Sequence, residues 1–554
     1  MIQKLPFSLS LISGEKIEQL LIKLAKIGGT KIPGSKELPE RYSVNRVALS
    51  DEDFIARKFI TGILKDVGAK NIYQHPLGII GYFLGEDESL SPIIVESHFD
   101  SVPKAGMYDG TVGVMTSLEV LRSFKENSVR TKRSIIMIAM TGEESSGFDM
   151  ALFGSRGIAL GLTDKELDQS KPGGKTIREA LLTREIDLNK VKTPYPLDRK
   201  SPVIEVHVGQ DDRLLKSKID LAIVENIAAP HRFQVTIGTS KLNIQDKPRY
   251  DQSKHFTIHI NGKTGHSGAT PMGITNRADG LVVMSDILIF SQNIKEIIKR
   301  ELGKNIEVSI GGLSIEGQAM NKIPGVVSAH IRISADDKKT VAFAEKVLIN
   351  FIDQRNNIYS SQPLFEKNPI TISKIISNKQ TGIFYDSEEM FKIHLCVGQI
   401  ILHINQISNK NIYKKAKNVG TVGTYRLDDG QVTLGVDIRG VDKLMRDKMV
   451  LEITGEFKGL RYKETAGNGD PVAMDKKLVD LAYKVVKENN IGSVIKDFSP
   501  AGHDSQNFAR AGHPAVMIFI PSRNGGIAHT PEEYSTPDDL QKGAQTLAAL
   551  LYNL

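Results

Sequence analysis

The chain has 554 residues, 25% of them charged and 40% hydrophobic, which excludes global disorder and, at roughly 150 residues per domain, leaves material for three or four domains. Lys plus Arg number 72 against 65 Asp plus Glu, a net charge of +7; with no basic block and no tryptophan, nothing supports a nucleic-acid partner. The single cysteine, Cys396, excludes an intramolecular disulfide framework and cysteine-cluster metal sites, and no apolar run reaches the roughly 18 residues that would span a bilayer.

The opening stretch, MIQKLPFSLSLISGEK, has no convincing small-residue cleavage site. A cytoplasmic protein is expected, with a signal peptide as the alternative. Residues 51–67 place Phe54, Ile55, Phe59, Ile63 and Val67 on one stripe, predicting a helix capped by Ser50. PIIVE at 92–96 reads as a buried strand, 111–124 as a helix, and SIIMIAM at 134–140 and VIEVHV at 203–208 as further buried strands. Towards the end, 476–489 reads as a helix and AVMIFI at 515–520 as a strand. Buried strands alternating with helices predict an α/β layer architecture with a mostly parallel sheet.

Residues 236–459 differ in character. A strand at 255–262, a helix at 276–292, two strand-like runs within 306–334, a helix at 338–353 and a strand at 369–376 follow the β-α-β-β-α-β order of a ferredoxin-like unit. A partial echo follows: a helix at 387–407, the strands VGTVGTYR and QVTLGVDIRG, and a helix at 442–457. Arg332 in HIRIS and Arg439 in VDIRG both precede an Asp-Lys pair. Two readings stay open: tandem duplication of one unit, 255–376 and 380–459, or one unit with an insertion at 377–418.

Five stretches carry chemistry. In ESHFDSVPKAGMYDGTVGV, His98 and Asp100 fall just past a strand end, where open α/β sheets build sites. Spaced i, i+2, they point to one side, so Asp100 could orient a metal-binding His98. Asp109, before a helix, would taken alone read as a cap; its two oxygens could also bridge two metals. In TGEESSGF, adjacent Glu143 and Glu144 repel unless a cation or proton is present, and one could bind metal while the other serves as general base. His207, amid Val and Ile in a strand, reads by itself as a core residue. His266 lies in GHSGATPMGITNRADG, and His503 and His529 in AGHDS and PSRNGGIAHTPEEY. Histidine, aspartate and glutamate without cysteine suit zinc, manganese, cobalt or nickel.

The ordered set SHFDSVP, YDGTVGV, GEES, EVHVGQ, GHSGATPM, AGHD and GIAHTPEEY resembles the M20 metallopeptidase family. Within it, the set is most similar to the branch of N-carbamoyl-amino-acid hydrolases, β-ureidopropionases and allantoate amidohydrolases. The resemblance runs from VNRVALSDEDFIAR at 44–57 to GIAHTPEEYSTPDDL. It implies a zinc-peptidase-like α/β fold, a mixed sheet flanked by helices, with an inserted ferredoxin-like α+β lid at 236–459 between catalytic parts 1–235 and 460–554. It implies two divalent cations, one held by His98, Asp109 and His207, the other by Asp109, Glu144 and His529. Glu143 would be the general base and Asp100 the partner of His98. Gln210, His266, Asn321, Arg439 or Arg332, and His503 would bind an anionic ureido or amide substrate or stabilise its oxyanion.

Two departures stand out. Where the branch reads His-x-Glu-Gln-Gly, this chain has Gly209 and Asp211 around Gln210. The lid is also too long, so either arginine could bind the substrate carboxylate. The implied activity is hydrolysis of a carbamoyl or ureido C–N bond; a dimetal dipeptidase, aminopeptidase or N-acyl-amino-acid deacylase and a non-catalytic binding protein are the alternatives. The expected assembly is a monomer if the lid is duplicated and a homodimer if it is not.

Overall fold

The computed structural model describes all residues except 1, 35–37, 145–146, 149, 171–173, 239–249, 269, 274–276, 361–369, 378–387, 429, 458 and 466–467. Two compact units emerge, 1–228 with 472–554, and 229–471.

The first unit opens with helices α1 (Gly14–Ala25) and α2 (Asp51–Asp66). The Ser50 side chain caps α2 by accepting from the Asp53 N–H, as the spacing predicts. Then come β1 (Asn71–His75), β2 (Gly78–Phe83), β3 (Ile93–His98), α3 (Thr111–Glu126), β4 (Ile135–Met140), β5 (Val203–Val208) and β6 (Leu221–Ile227).

In the second unit the elements run β7 (Ala229–Ile237), β8 (Gln252–Asn261), α4 (Gly280–Leu302), β9 (Glu307–Ile315), β10 (Val326–Ala335), α5 (Lys338–Ser360), β11 (Thr371–Ser377), α6 (Glu388–Ser408), β12 (Val419–Asp428), β13 (Gln431–Gly440), α7 (Lys443–Gly455) and β14 (Arg461–Glu464). The chain then completes the first unit with β15 (Val472–Ala473), α8 (Lys476–Glu488), β16 (Val494–Ser499), α9 (Ser505–Arg510), β17 (Ala515–Ile520) and α10 (Pro537–Tyr552).

The large sheet of the first unit has the order β15-β6-β17-β5-β3-β4-β2-β1, with β16 also on β6. Its centre is parallel, β4-β3-β5-β17; β2 joins β4, β1 joins β2, β6 joins β17 and β15 joins β6 antiparallel, while β16 pairs parallel with β6. The expected mostly parallel sheet is therefore mixed: the apolar runs identify the buried central strands, but the antiparallel flanks carry no separate mark of direction. β3, β4, β5 and β17 are buried along their whole length. α3 lies against β3 and β5 so closely that a Cβ on Gly113 would sit 2.2 Å from the Val206 carbonyl oxygen.

The second unit holds two four-stranded sheets, β9-β10-β8-β11 and β12-β13-β7-β14. Each follows the β-α-β-β-α-β order with the first and third strands central, the ferredoxin-like arrangement. They are not in tandem. The first repeat, β8 to β11, is inserted between the first strand and first helix of the other, whose chain leaves at Ile237 and resumes at Glu388. The echo at 380–459 looks partial for this reason: its first strand is 229–237 and its last 461–464. β9 and β12, the neighbouring edges, lie side by side, and α4 packs on α6. One apolar cluster runs through both repeats, including Phe256, Leu288, Ile400 and Ile438.

Two glycines in helices give opposite expectations. Gly113→Ala forces α3 off the sheet and costs about 1–3 kcal/mol. Gly62 in α2 has nothing within 4 Å of its added Cβ, so Gly62→Ala stabilises by about 0.5–1 kcal/mol. Urea unfolding of both variants checks the pair.

Candidate metal centre

His98 ends β3, Glu143 and Glu144 follow β4, His207 lies in β5, and His529 follows β17. All five thus come from the carboxyl ends of the four central parallel strands, where connecting loops open above the sheet. Asp109 enters from the turn ahead of α3. It does not cap that helix; Gly110 holds the cap position without a side-chain bond.

Asp109 is where these strand ends meet. Its Oδ1 lies 3.1 Å from His207 Nε2 and 3.9 Å from His98 Nε2. Its Oδ2 lies 3.1 Å from His529 Nε2, which is itself 3.2 Å from Glu144 Oε1. Two donor groups result, His98–Asp109–His207 and Asp109–Glu144–His529, each with its ligand atoms within 4.8 Å of one another. Burial alone would raise the Asp109 carboxyl, but the His207 and His529 imidazoles hold it well below the usual carboxylate range.

Asp100, fully buried, does two jobs. Its Oδ1 faces His98 Nδ1 at 3.4 Å. Its two oxygens also accept from the Glu143 and Glu144 backbone N–H groups, at 3.3 and 3.2 Å. One carboxylate therefore sets both the imidazole and the Glu-Glu turn. Glu143 Oε2 stands 3.8 Å from His98 Nε2. Burial pushes the Glu143 carboxyl well above its ordinary value against the pull of His98, with Glu144, Asp504 and Asp109 adding repulsion. Gln210 donates from Nε2 to Asp109 Oδ2 at 3.1 Å. His503 is buried, its ring edge-on to His207 with centroids 4.5 Å apart.

Sequence reasoning missed Glu533. Its Oε2 accepts from the Tyr108 and Asp109 N–H groups, both at 3.3 Å, and its Oε1 from the His529 N–H. One buried carboxylate clamps the two loops that supply Asp109 and His529. The signal was present in HTPEEY, where Glu533 follows His529 by four residues, but a Glu-Glu pair beside a proline reads as solvated surface.

The remaining predicted residues lie in the second unit. His266 and Gly265 pair with Lys322 and Ile323, and the Asn321 carbonyl accepts from the Ser267 N–H at 2.9 Å. The Ser267 hydroxyl donates to Asp437 Oδ2, which also accepts from Arg439 Nε at 3.0 Å. Arg277, buried, donates to the Ser267 and Thr270 carbonyls and to Thr421, stapling the His266 loop of the inner repeat to β12 of the outer. His266, Asn321 and Arg439 therefore belong to one cluster. Arg332 is buried on the inner sheet and donates to Ser309 rather than to Asp437 or Ser267 among the described contacts. Counting back from the helix starts at Asp337-Lys338 and Asp442-Lys443, Arg332 occupies the position of Asp437, and Ser334 that of Arg439.

The model of peptidase family M20/M25/M40 matches residues 94–553. An N-carbamoyl-L-amino-acid amidohydrolase of Pseudomonas sp. (strain NS671) is 29% identical over 97% of this chain and 97% of its own. A ureidoglycolate hydrolase of Oryza sativa subsp. japonica is 25% identical over 98% of this chain and 85% of its own. Among solved structures, the aminoacylhistidine dipeptidase of Vibrio alginolyticus shares the fold, with a TM-score of 0.52 at 13% identity over 99% of this chain and 98% of that one.

Gly110 tests the geometry of the cluster. Its φ is +66°, and a Cβ there would lie 2.1 Å from His98 Nε2. Gly110→Ala is expected to displace the His98 ring and to weaken any divalent-metal binding by the cluster at least about tenfold, by the measure of a disturbed ligand shell. Calorimetric titration with zinc checks it.

Proposed function

The chain belongs to peptidase family M20/M25/M40, and on that premise we propose that it is a dimetal amidohydrolase cleaving the carbamoyl (ureido) C–N bond of an N-carbamoyl amino acid or similar ureido acid. The observation that carries this reading is Asp109 shared between two groups of nitrogen and oxygen donors. The donor set fits the metals: imidazoles and carboxylates converge, Asp100 faces the far nitrogen of His98, and no lysine or arginine pairs with Asp109 among the described residues. His98, Asp109 and His207 would hold one divalent ion, and Asp109, Glu144 and His529 the other, as zinc, manganese, cobalt or nickel. Bound there, the ions would supply Lewis acidity towards the substrate carbonyl and a water.

The side chains do the rest. Glu143, its carboxyl raised by burial, takes a proton from the attacking water and passes it to the departing nitrogen. Asp100 keeps the His98 ring and the Glu143 turn in register. His266 stabilises the oxyanion, and Arg439, oriented by Asp437, binds the substrate carboxylate. Water adds to the ureido carbon, the C–N bond breaks, and the products are the free amino acid and carbamate, which decomposes to ammonia and carbon dioxide. The names of the amidohydrolase and ureidoglycolate hydrolase relatives support this substrate class.

The nested repeats support a functional monomer of 61.0 kDa. The edge strands β9 and β12, one from each sheet, lie side by side within one chain, where each would otherwise face a second copy. In this reading the two repeats form a duplicated lid. No helix among the described residues is long and apolar enough to cross a membrane.

Release from a panel of ureido acids, N-acyl amino acids and dipeptides, read as ammonia for the ureido acids and as free amino acid for all three, tests the activity. Release from ureido acids alone is expected; cleavage of dipeptides or N-acyl amino acids with no ureido turnover would transfer the chain to the peptidase or deacylase reading. Glu143→Gln is expected to lower kcat at least about a hundredfold with metal content intact, since only the proton acceptor is removed. Arg439→Ala is expected to raise KM about 10- to 100-fold, the worth of a charge-assisted hydrogen bond, without loss of metal. Arg332→Gln leaves KM within about twofold, because ground-state binding does not use it. Light scattering with size exclusion should give the monomer mass.

A further inference from the structure

Behind the paired histidines lies a second cluster that the reaction does not use. Glu96 and Glu205 sit directly opposite each other on the parallel strands β3 and β5. Each precedes a histidine of the metal centre by two residues, Glu96 before His98 and Glu205 before His207, so each shares its histidine's face of the sheet. Asp504, in the turn before α9, completes the group, and one oxygen from each of the three falls within 4.8 Å of the others.

All three carboxylates are buried, Glu96 at 2% exposed and Glu205 and Asp504 at 0%. Neither oxygen of Glu96 accepts a hydrogen bond, and both oxygens of Asp504 lack one of normal geometry. Glu205 accepts one, from the Ser505 N–H at 3.0 Å. No lysine or arginine pairs with any of them among the described residues.

The metal centre does not account for the cluster. His98 turns Nδ1 to Asp100, and His207 turns Nδ1 to the Val208 carbonyl at 2.9 Å. Both Nε2 atoms face Asp109. Neither ring hydrogen-bonds to Glu96 or Glu205 among the described residues, although a nitrogen of His207 and one of His503 lie within 4.8 Å of a Glu205 oxygen. Like charges directly opposite on neighbouring strands repel, and an unpaired buried carboxylate is costly. The histidines lie to one side, and what the cluster lacks is a cation set among all three carboxylates.

We propose that Glu96, Glu205 and Asp504 form a third cation site, one residue layer below the His98–His207 pair, that binds a hard divalent ion through carboxylate oxygens. Oxygen-only ligands favour magnesium, calcium or manganese over the softer ions that imidazoles prefer. The ion there is structural: it ties β3 and β5 to the turn that carries His503 and Asp504, and it sets the floor on which the two histidines stand.

Manganese serves as the probe. The full-length protein is loaded with Mn²⁺, freed of excess by gel filtration, and assayed for metal per chain by elemental analysis. Three ions per chain are expected for the wild type, two for Glu96→Gln, and one for Asp109→Asn. Two ions in the wild type would overturn the proposal and assign protons to the carboxylates, and three in Glu96→Gln would place the third ion elsewhere. Asp504→Asn is the second variant should Glu96→Gln fail to fold, and the wild-type count decides alone if both fail. Failure of the dimetal reading shows separately, as an Asp109→Asn protein that retains the wild-type count.

Discussion

A carboxylate with two oxygens can face two cations at once, and Asp109 is placed so that each oxygen meets an imidazole from a different strand end. That requirement constrains much of the first unit. His207 must reach the site from β5, His529 from beyond β17, and Asp109 from the turn over β3, so the three backbones have to be fixed to within a fraction of an ångström. Parallel strands buried on both faces supply that rigidity, and Gly113 lets α3 settle close enough to bring the Asp109 turn down onto the histidines. Around the shared carboxylate, two further buried acids lock the loops. Asp100 holds the Glu143–Glu144 turn, and Glu533 holds the Asp109 and His529 segments together.

The second unit solves a different problem. A ferredoxin-like sheet has two edges, and an exposed edge recruits partners. Inserting one repeat into another sets the edges β9 and β12 side by side within one chain. The insertion also brings together residues that neither repeat holds alone. The His266–Asn321 loop comes from the inner repeat and Asp437–Arg439 from the outer, and the Ser267 hydroxyl and Arg277 guanidinium connect them. The inner repeat carries Ser334 where the outer has Arg439, so only one of the two sheets presents an arginine at that position.

Much of this was legible in the sequence because the relevant signals are local. Continuous apolar runs mark β3, β4, β5 and β17, and chemistry-bearing residues directly after such runs mark strand-end sites. The alternating and helical periods likewise show the elements of the second unit. What escaped was set by distance along the chain. Strand β7 is separated from its own repeat by everything between Ile237 and Glu388, so the outer repeat looked truncated and the duplication looked tandem. The role of Glu533 depends on two loops meeting in space. Glu96 and Glu205 are each preceded and followed by ordinary strand residues, and only the register of β3 against β5 makes them a pair. The position of Arg332 became clear only when both repeats could be counted back from the same helix start.

The central claim is that Asp109 is shared by two metal ions, and diffraction from zinc-loaded crystals at the zinc absorption edge tests it most directly. The account predicts two anomalous peaks flanking Asp109, one bounded by His98 and His207 and the other by Glu144 and His529. A single peak, or a peak on Glu205, His207 and His503 with Asp109 outside its coordination sphere, would contradict it.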